Sequence, residues 1–412
     1  MLRFVTAGSV DDGKSTLIGR LLFDARQIFE DQLAWIAQAS EGRGGDGALD
    51  LALLTDGLRD ERAQGITIDV AYRYFATARR RFIIADAPGH LDYTRNMVTG
   101  ASTADVAVIL IDARRAVPSQ ARRHALIVSL LGVSHLVVCV NKMDLVEYDA
   151  AAFERIVAEF TGFATRLEIR DVTFIPVCAL HGDNVVERSV AMPWYRGSPL
   201  LYHLEHVHIA SDRNLIDARF PVQCVTREPA REFRGYAGRM AAGVLRRGDD
   251  VVVLPSGQCT QISHILTFEG EVEEAYPPLA VTLTLTDPVA VGRGDLLCRP
   301  DNRPTVARAV DAMVCWMGDR PLTPGARYVM KHTTRAVRAQ VDAIHYEIDV
   351  ATLHRRPASA LARNDIGRVR LRVPDAILAD PYRRSRATGS FILIDPTTNE
   401  TVGGGMVEGA TS

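Results

Sequence analysis

Near the N-terminus, Gly8-Ser9-Val10-Asp11-Asp12-Gly13-Lys14-Ser15 spaces two glycines, a lysine and a hydroxyl as G-x-x-x-x-G-K-[ST]. In that spacing the backbone can wrap a phosphate with its N–H groups, and a following helix N-terminus adds a favourable dipole. Lys14 is placed to bridge β- and γ-phosphates, and the Ser15 hydroxyl to ligate Mg²⁺. Thr16, next in the chain, joins the candidate nucleotide-binding residues.

Three more groups follow in order. Gly65-Ile66-Thr67-Ile68 offers Thr67 to complete a Mg²⁺ shell. Asp86-Ala87-Pro88-Gly89-His90 follows an apolar run, so a carboxylate at a strand end can hold Mg²⁺. The Gly89 N–H can meet a γ-phosphate, and His90 can orient an attacking water. The expected catalytic set is therefore Lys14, Thr67, Gly89 and His90, and the expected metal set Ser15, Thr67 and Asp86.

Asn141-Lys142-Met143-Asp144 carries base specificity. A carboxylate accepts two parallel hydrogen bonds, which guanine supplies from N1–H and its exocyclic amino group and adenine cannot. Asn141 is expected to tie this loop to the phosphate loop, and the Lys142 stem to cover the base. Cys178-Ala179-Leu180 follows another apolar run and is expected to set a backbone N–H against the guanine O6.

Elements must position these loops. Leu2–Ala7, Phe82–Ala85, Val106–Asp112, Leu136–Asn141 and Phe174–Val177 read as apolar strands. Lys14–Asp24 carries Leu17, Ile18, Leu21 and Leu22 at helical spacing. That β-α-β rhythm predicts a parallel sheet covered on both faces. After His208 short β-rich runs take over: Val222–Thr226, Val251–Leu254, Ile262–Thr267 and Val281–Leu285, then Arg327–His332, Val337–Ile348, Gly367–Val373 and Gly389–Ile394. Gly/Pro turns between them predict closed antiparallel barrels. The expected organisation is an α/β P-loop GTPase domain over 1–210, followed by two antiparallel β-barrel domains over 211–304 and 305–412.

Composition bounds the alternatives. The 412 residues are 47% hydrophobic and 24% charged with net charge −2, a globular balance that excludes a strongly basic nucleic-acid binder. No apolar run approaches a membrane span of about 18 residues. The six cysteines are scattered without a C-x-x-C pair, which predicts reduced thiols and a cytoplasmic setting. Of 48 basic residues only three are lysine, and two of these, Lys14 and Lys142, lie in the loops above. The third, Lys331, is a candidate subunit contact. The Gly42–Gly47 patch reads as a loop. His203, His206 and His208 read as helix-end and linker histidines ahead of a metal site, and Arg383, Arg384 and Arg386 as a solvated loop.

The set Gly8–Ser15, Gly65–Ile68, Asp86–His90 and Asn141–Asp144 resembles the translation-factor class of P-loop GTPases. Within it, Gly8–Leu22, Leu51–Phe75, Tyr93–Ser102, Phe233–Gly238, Lys331–Val337 and Thr388–Met406 are most similar to the GTP-binding large subunit of sulfate adenylyltransferase. The resemblance implies GTP and Mg²⁺ as cofactors. It implies a heterodimer with a small ATP-pyrophosphatase-type subunit, which joins ATP and sulfate into adenosine 5′-phosphosulfate and pyrophosphate while this chain hydrolyses GTP. No membrane or nucleic-acid partner is implied.

Departures exist. Asp12 sits where elongation factors commonly have His, which favours the sulfurylase reading. Leu91-Asp92 follow His90 where that family usually has Glu-Gln, and Cys178 replaces a usual Ser. No second P-loop follows the barrels, so adenylylsulfate kinase activity is not expected. The alternatives are a translation-factor-like GTPase delivering aminoacyl-tRNA and a stand-alone GTP-binding scaffold.

Overall fold

A computed structural model describes residues 1–28, 31, 36, 38, 51–54, 69–90, 94–209, 214–228 and 233–411. Thr67, with Gly65, Ile66 and Ile68, lies outside the described residues, as does the Gly42–Gly47 patch. The chain divides into two compact units, Met1–Ile209 with Val350–Leu353, and Ala210–Asp349 with His354–Ser412.

The first unit is built on a six-stranded sheet. Its strands are β1 (Leu2–Gly8), β2 (Ala71–Ala76), β3 (Arg81–Asp86), β4 (Val106–Asp112), β5 (His135–Asn141) and β6 (Asp171–Pro176), in the order β2-β3-β1-β4-β5-β6. The β3-β1-β4-β5-β6 pairings are parallel. Every residue of β4 is buried, which explains its unbroken apolar run.

The edge strand β2, which was not among the strands expected, adds to the parallel sheet by running antiparallel to β3. Only four residues separate the two, and Thr77 N–H donates to Arg80 O at 2.9 Å to close a tight turn. A parallel return would need a crossover of about a dozen residues.

Helices α1 (Lys14–Asp24), α2 (Thr94–Ala101), α3 (Ser119–Leu130), α4 (Ala150–Ala164) and α5 (Leu200–His206) connect and cover the strands. Helix α1 buries Leu17, Ile18, Leu21 and Leu22 against Phe4, Val108 and Val137 of the core. The parallel register brings Gly8, Asp86 and Asn141 to the same carboxyl edge of the sheet, the edge at which α/β folds bind ligands.

The second unit holds two barrels. In the first, Asp250–Leu254, Leu296–Cys298, Phe220–Glu228, Phe233–Arg239, Ala280–Leu285 and Gln258–Thr267 pair in that order, and the last pairs back to the first. In the second, the ring runs Arg327–His332, Ser390–Ile394, Thr401–Thr411, Thr305–Trp316, Ile366–Ala379 and Arg335–Ile348, closed by the last and first strands. All these pairings are antiparallel, and closure leaves neither ring with an edge.

Phe220, Tyr236 and Leu283 fill the first barrel, and Trp316, Met330 and Leu393 the second. The strand Thr401–Thr411 is not visible as an alternating pattern because it contains Gly403-Gly404-Gly405. A Cβ at Gly405 would stand 2.1 Å from the Phe391 ring, so bare backbone makes room for the aromatic on the neighbouring strand.

Candidate functional site

The phosphate loop leaves β1 at Gly8 and enters α1 at Gly13. Gly13 has φ 91°, and a Cβ there would stand 2.4 Å from Asn141 Nδ2, so both conformation and contact require glycine. Ser9 N–H donates to Asp12 Oδ2 at 2.6 Å, closing the turn from within. Asp12 is fully buried, and burial raises its pKa against the pull of that bond.

Lys14 Nζ donates to Gly8 O at 3.2 Å and Ser9 O at 2.8 Å. Burial pushes the Lys14 pKa down, while Asp86, Asp12 and Asp11 oppose it. Val10, Ser15 and Thr16 are half-buried and Asp11 is exposed, with φ 67°.

Asp86 ends β3 with 1% exposure, and Thr6 Oγ1 donates to its Oδ1 at 3.0 Å across the β1–β3 pairing. Ala87, Pro88 and Gly89 are buried, and His90 is exposed. A Cβ at Gly89 would stand 2.4 Å from Lys14 Nζ and 2.7 Å from Gly8 O. The segment after β3 therefore lies directly against the phosphate loop.

The loop after β5 joins this cluster through Asn141. Its Nδ2 donates to Asp12 O at 2.8 Å, and its Oδ1 accepts from Ala179 N–H at 3.0 Å. The expected tie to the phosphate loop is thus made. It also engages the Ala179 N–H, one of the donors expected to face the base.

Lys142 takes φ 62° and its ammonium meets Asp112 Oδ2 at 3.2 Å. Arg114 grips the same carboxylate from Nε at 3.0 Å and Nη2 at 2.7 Å. Burial works to raise the Asp112 pKa, but the bonds from Arg114 and Lys142 prevail and hold it well below the usual carboxylate range. Met143 is buried and Leu180 is exposed.

The Cys178 thiol donates to Asp144 Oδ1 at 3.0 Å. Burial, then this bond, pushes the thiol pKa up to about 12. A side-chain role was not expected there.

The elongation factor Tu GTP binding domain family matches residues 1–222, and a GTP-eEF1A C-terminal domain-like family matches residues 309–408. Sulfate adenylyltransferase subunit 1 of Bacteroides fragilis (strain YCH46) is 52% identical over 408 residues, covering 99% of this chain and 86% of that protein. The chain belongs to the sulfate adenylyltransferase subunit 1 family. The subunit of the same name from Pseudoalteromonas atlantica is 50% identical over 408 residues, with 99% and 87% coverage. The bifunctional enzyme CysN/CysC of Mycobacterium tuberculosis (strain ATCC 25618 / H37Rv) is 57% identical over 412 residues, and this chain spans 67% of its length.

In this member of the subunit 1 family, several residues at the site carry no sequence signal. Arg20, one and a half turns into α1, donates from Nε to Ala179 O at 3.3 Å and from Nη2 to Leu180 O, bracing the third base loop. Asp112 could have been found, since β4 and β5 pair residue for residue up to Asp112 and Asn141.

The three histidines do not converge. His206 stacks on Tyr202 with centroids 3.9 Å apart and shares a 2.5 Å hydrogen bond with Arg79. Among the described residues, the His/Cys/Asp/Glu group able to share a metal ion is Asp144, Cys178 and His181. Arg384 is not simply solvated, because its guanidinium grips Asp217 and Asn302. Lys331 is exposed beside His332, which is buried and hydrogen-bonded to Thr388 O at 2.8 Å. Among the described residues no helix is long and apolar enough to cross a membrane.

Proposed function

We propose that this chain couples GTP hydrolysis to formation of adenosine 5′-phosphosulfate and pyrophosphate from ATP and sulfate. Family membership makes it the GTPase subunit of a sulfate adenylyltransferase. The observation that supports the site assignment best is the double hydrogen bond of Asn141, which locks the base-reading loops onto the phosphate loop.

On this reading Gly8–Thr16 hold the phosphates. Lys14 Nζ exchanges the Gly8 and Ser9 carbonyls for phosphate oxygens, a stronger, charge-assisted pairing. Gly89, already against Lys14, presents its N–H to the γ-phosphate, and Ala87 and Pro88 carry it there. His90, exposed at the end of this segment, orients the attacking water.

The oxygen donors Ser15 and Asp86 suit a hard cation, and Thr67 would complete the set. Asp86 is buried and steadied by Thr6, so one of its oxygens is held in a fixed place. Bound Mg²⁺ would neutralise charge developing on the β- and γ-phosphate oxygens.

Asp144 reads guanine N1–H and the amino group. Lys142, held by Asp112, covers the base, and Met143 packs beneath the loop. With Cys178 on Asp144 and Ala179 N–H on Asn141, the Leu180 N–H is the donor assigned to O6. Domain limits of 1–210, 211–304 and 305–412 suit this division of labour.

The relatives' designation as subunit 1 supports a partner subunit. We assign the adenylyl transfer to a small ATP-pyrophosphatase-type subunit, in a cytoplasmic heterodimer without nucleic acid, and place Lys331 at the contact. Replacing Lys331 with Ala then weakens partner binding. The deciding experiment co-expresses the two and measures pyrophosphate release from ATP and sulfate. Release that depends on sulfate and rises with GTP is expected. A complex that forms but releases no pyrophosphate would overturn the reading.

A further inference from the structure

The side chains of Asp144, Cys178 and His181 bring a carboxylate, a thiol and an imidazole together, with one ligand atom of each lying within 4.8 Å of the others. These are the donors that zinc takes, in a mixture that oxygen-seeking Mg²⁺ does not favour. The residues come from two rigid loops. Asp144 lies on the turn Met143–Val146 after β5, and Cys178 and His181 share one turn after β6. That turn is fixed by Gly182 N–H to Cys178 O at 2.8 Å and Cys178 N–H to Asp183 O at 3.2 Å.

The thiol and carboxylate already stand 3.0 Å apart across one proton. Zinc bonds of about 2.3 Å to sulfur and 2.0 Å to oxygen at a tetrahedral angle separate the two ligands by about 3.5 Å. Replacing the shared proton by the metal therefore opens the pair by only about half an ångström. His181 is exposed, so its ring can swing to a third position while a fourth stays open to solvent.

We propose that Asp144, Cys178 and His181 form a zinc site overlapping the base-reading loop, so that zinc and guanine nucleotide exclude one another. Exclusion rests on the reading of Asp144 as the guanine contact, since one carboxylate cannot serve both. On binding, the Cys178 S–H bond is replaced by S–Zn and the proton leaves to solvent, with no change of oxidation state.

The test uses the full, nucleotide-free chain titrated with Zn²⁺ against a chromophoric chelator. His181→Gln is expected to weaken zinc binding at least about tenfold, as loss of a ligand should cost no less than loss of an outer partner. Cys178→Ser, which keeps a hydroxyl for Asp144, is expected to weaken it as well, while the exposed thiols Cys224 and Cys259 remain in both variants as internal controls. In a second arm, fluorescent GDP is titrated with Mg²⁺ at rising zinc. Its apparent affinity should fall about tenfold at zinc ten times its own Kd, and in His181→Gln the same zinc should lower it by about twofold or less. Equal zinc affinity in wild type and His181→Gln overturns the site. Zinc and GDP binding together with unchanged affinities overturns the exclusion. Metal-free protein that fails to bind GDP would sink the guanine assignment, and the chelator titration would still decide the metal site.

Discussion

Asn141 Nδ2 donates to the carbonyl of Asp12 at 2.8 Å across 129 residues of chain, while the same amide accepts from Ala179 N–H. One buried side chain thus satisfies two buried backbone groups from two different loops. Replacing Asn141 with Ala orphans both, at about 1–3 kcal/mol each. We expect a loss of roughly 2 kcal/mol or more in stability and weaker GDP binding, read by thermal denaturation and nucleotide titration. Unchanged values for both would show that the loops are held by other contacts.

Asp144→Asn exchanges one acceptor oxygen for a donor. Guanine then loses a partner for its amino group, whereas xanthine, with a carbonyl there, gains one. GTP affinity should fall by about 10³-fold or more, and xanthosine triphosphate should become the better ligand. Competition titrations with the two triphosphates measure this directly.

Gly89→Ala places a methyl 2.4 Å from Lys14 Nζ and 2.7 Å from Gly8 O. The backbone carbonyl cannot step aside as a flexible side chain does, so the Asp86–His90 segment must move away from the phosphate loop. GTP turnover should fall by about tenfold or more, with GDP affinity changing less, because the displaced N–H serves the γ-phosphate alone. Single-turnover hydrolysis beside GDP titration separates the two.

Arg219 and Asp380 form a fully buried pair, with Nε–Oδ2 at 2.8 Å and Nη2–Oδ1 at 2.9 Å, and Thr388 Oγ1 donates to Asp380 at 2.7 Å. Arg219 also donates to Asn302 O, and Asn302 connects onward to Asp217 and Arg384. Arg219→Ala should destabilise the second unit by about 3–5 kcal/mol, since it leaves a buried carboxylate unpaired. Arg219→Met with Asp380→Leu should recover most of that loss in urea denaturation.

His124 lies buried in α3. Its Nε2 shares a 2.9 Å hydrogen bond with the Gln120 side-chain amide. Burial first, then the charges of Lys14 and Arg123, pushes its pKa from 6.5 down to about 3. Between those values the unfolded chain binds the proton and the folded chain does not. Its contribution to stability is whole above pH 6.5 and shrinks as pH falls towards 3. The slope is about 1.4 kcal/mol per pH unit, or about 2 kcal/mol lost between pH 6.5 and 5. His124→Gln should flatten that part of the stability–pH curve, as measured by denaturant midpoints.

The sequence by itself determined the local devices. Gly8–Ser15, Asp86–His90 and Asn141–Asp144 are contiguous, and their chemistry depends on spacing over four to eight residues. The apolar runs β3, β4 and β5 were legible for the same reason, as were the β-rich runs Arg327–His332 and Val337–Ile348, the second extended by two residues to Arg335 in the structure. Only the tertiary structure decided which distant groups meet. No spacing announces that the Cys178 thiol lies on Asp144, that Arg20 braces the Ala179 carbonyl, or that Arg219 finds Asp380 across 161 residues. The antiparallel β2 and the glycine-rich strand Thr401–Thr411 escaped for a related reason. One is set by a short turn and the other by an aromatic neighbour, and neither leaves a periodic pattern in the chain. Local spacing encodes what a loop can bind; chain path and packing decide which side chains hold it in place.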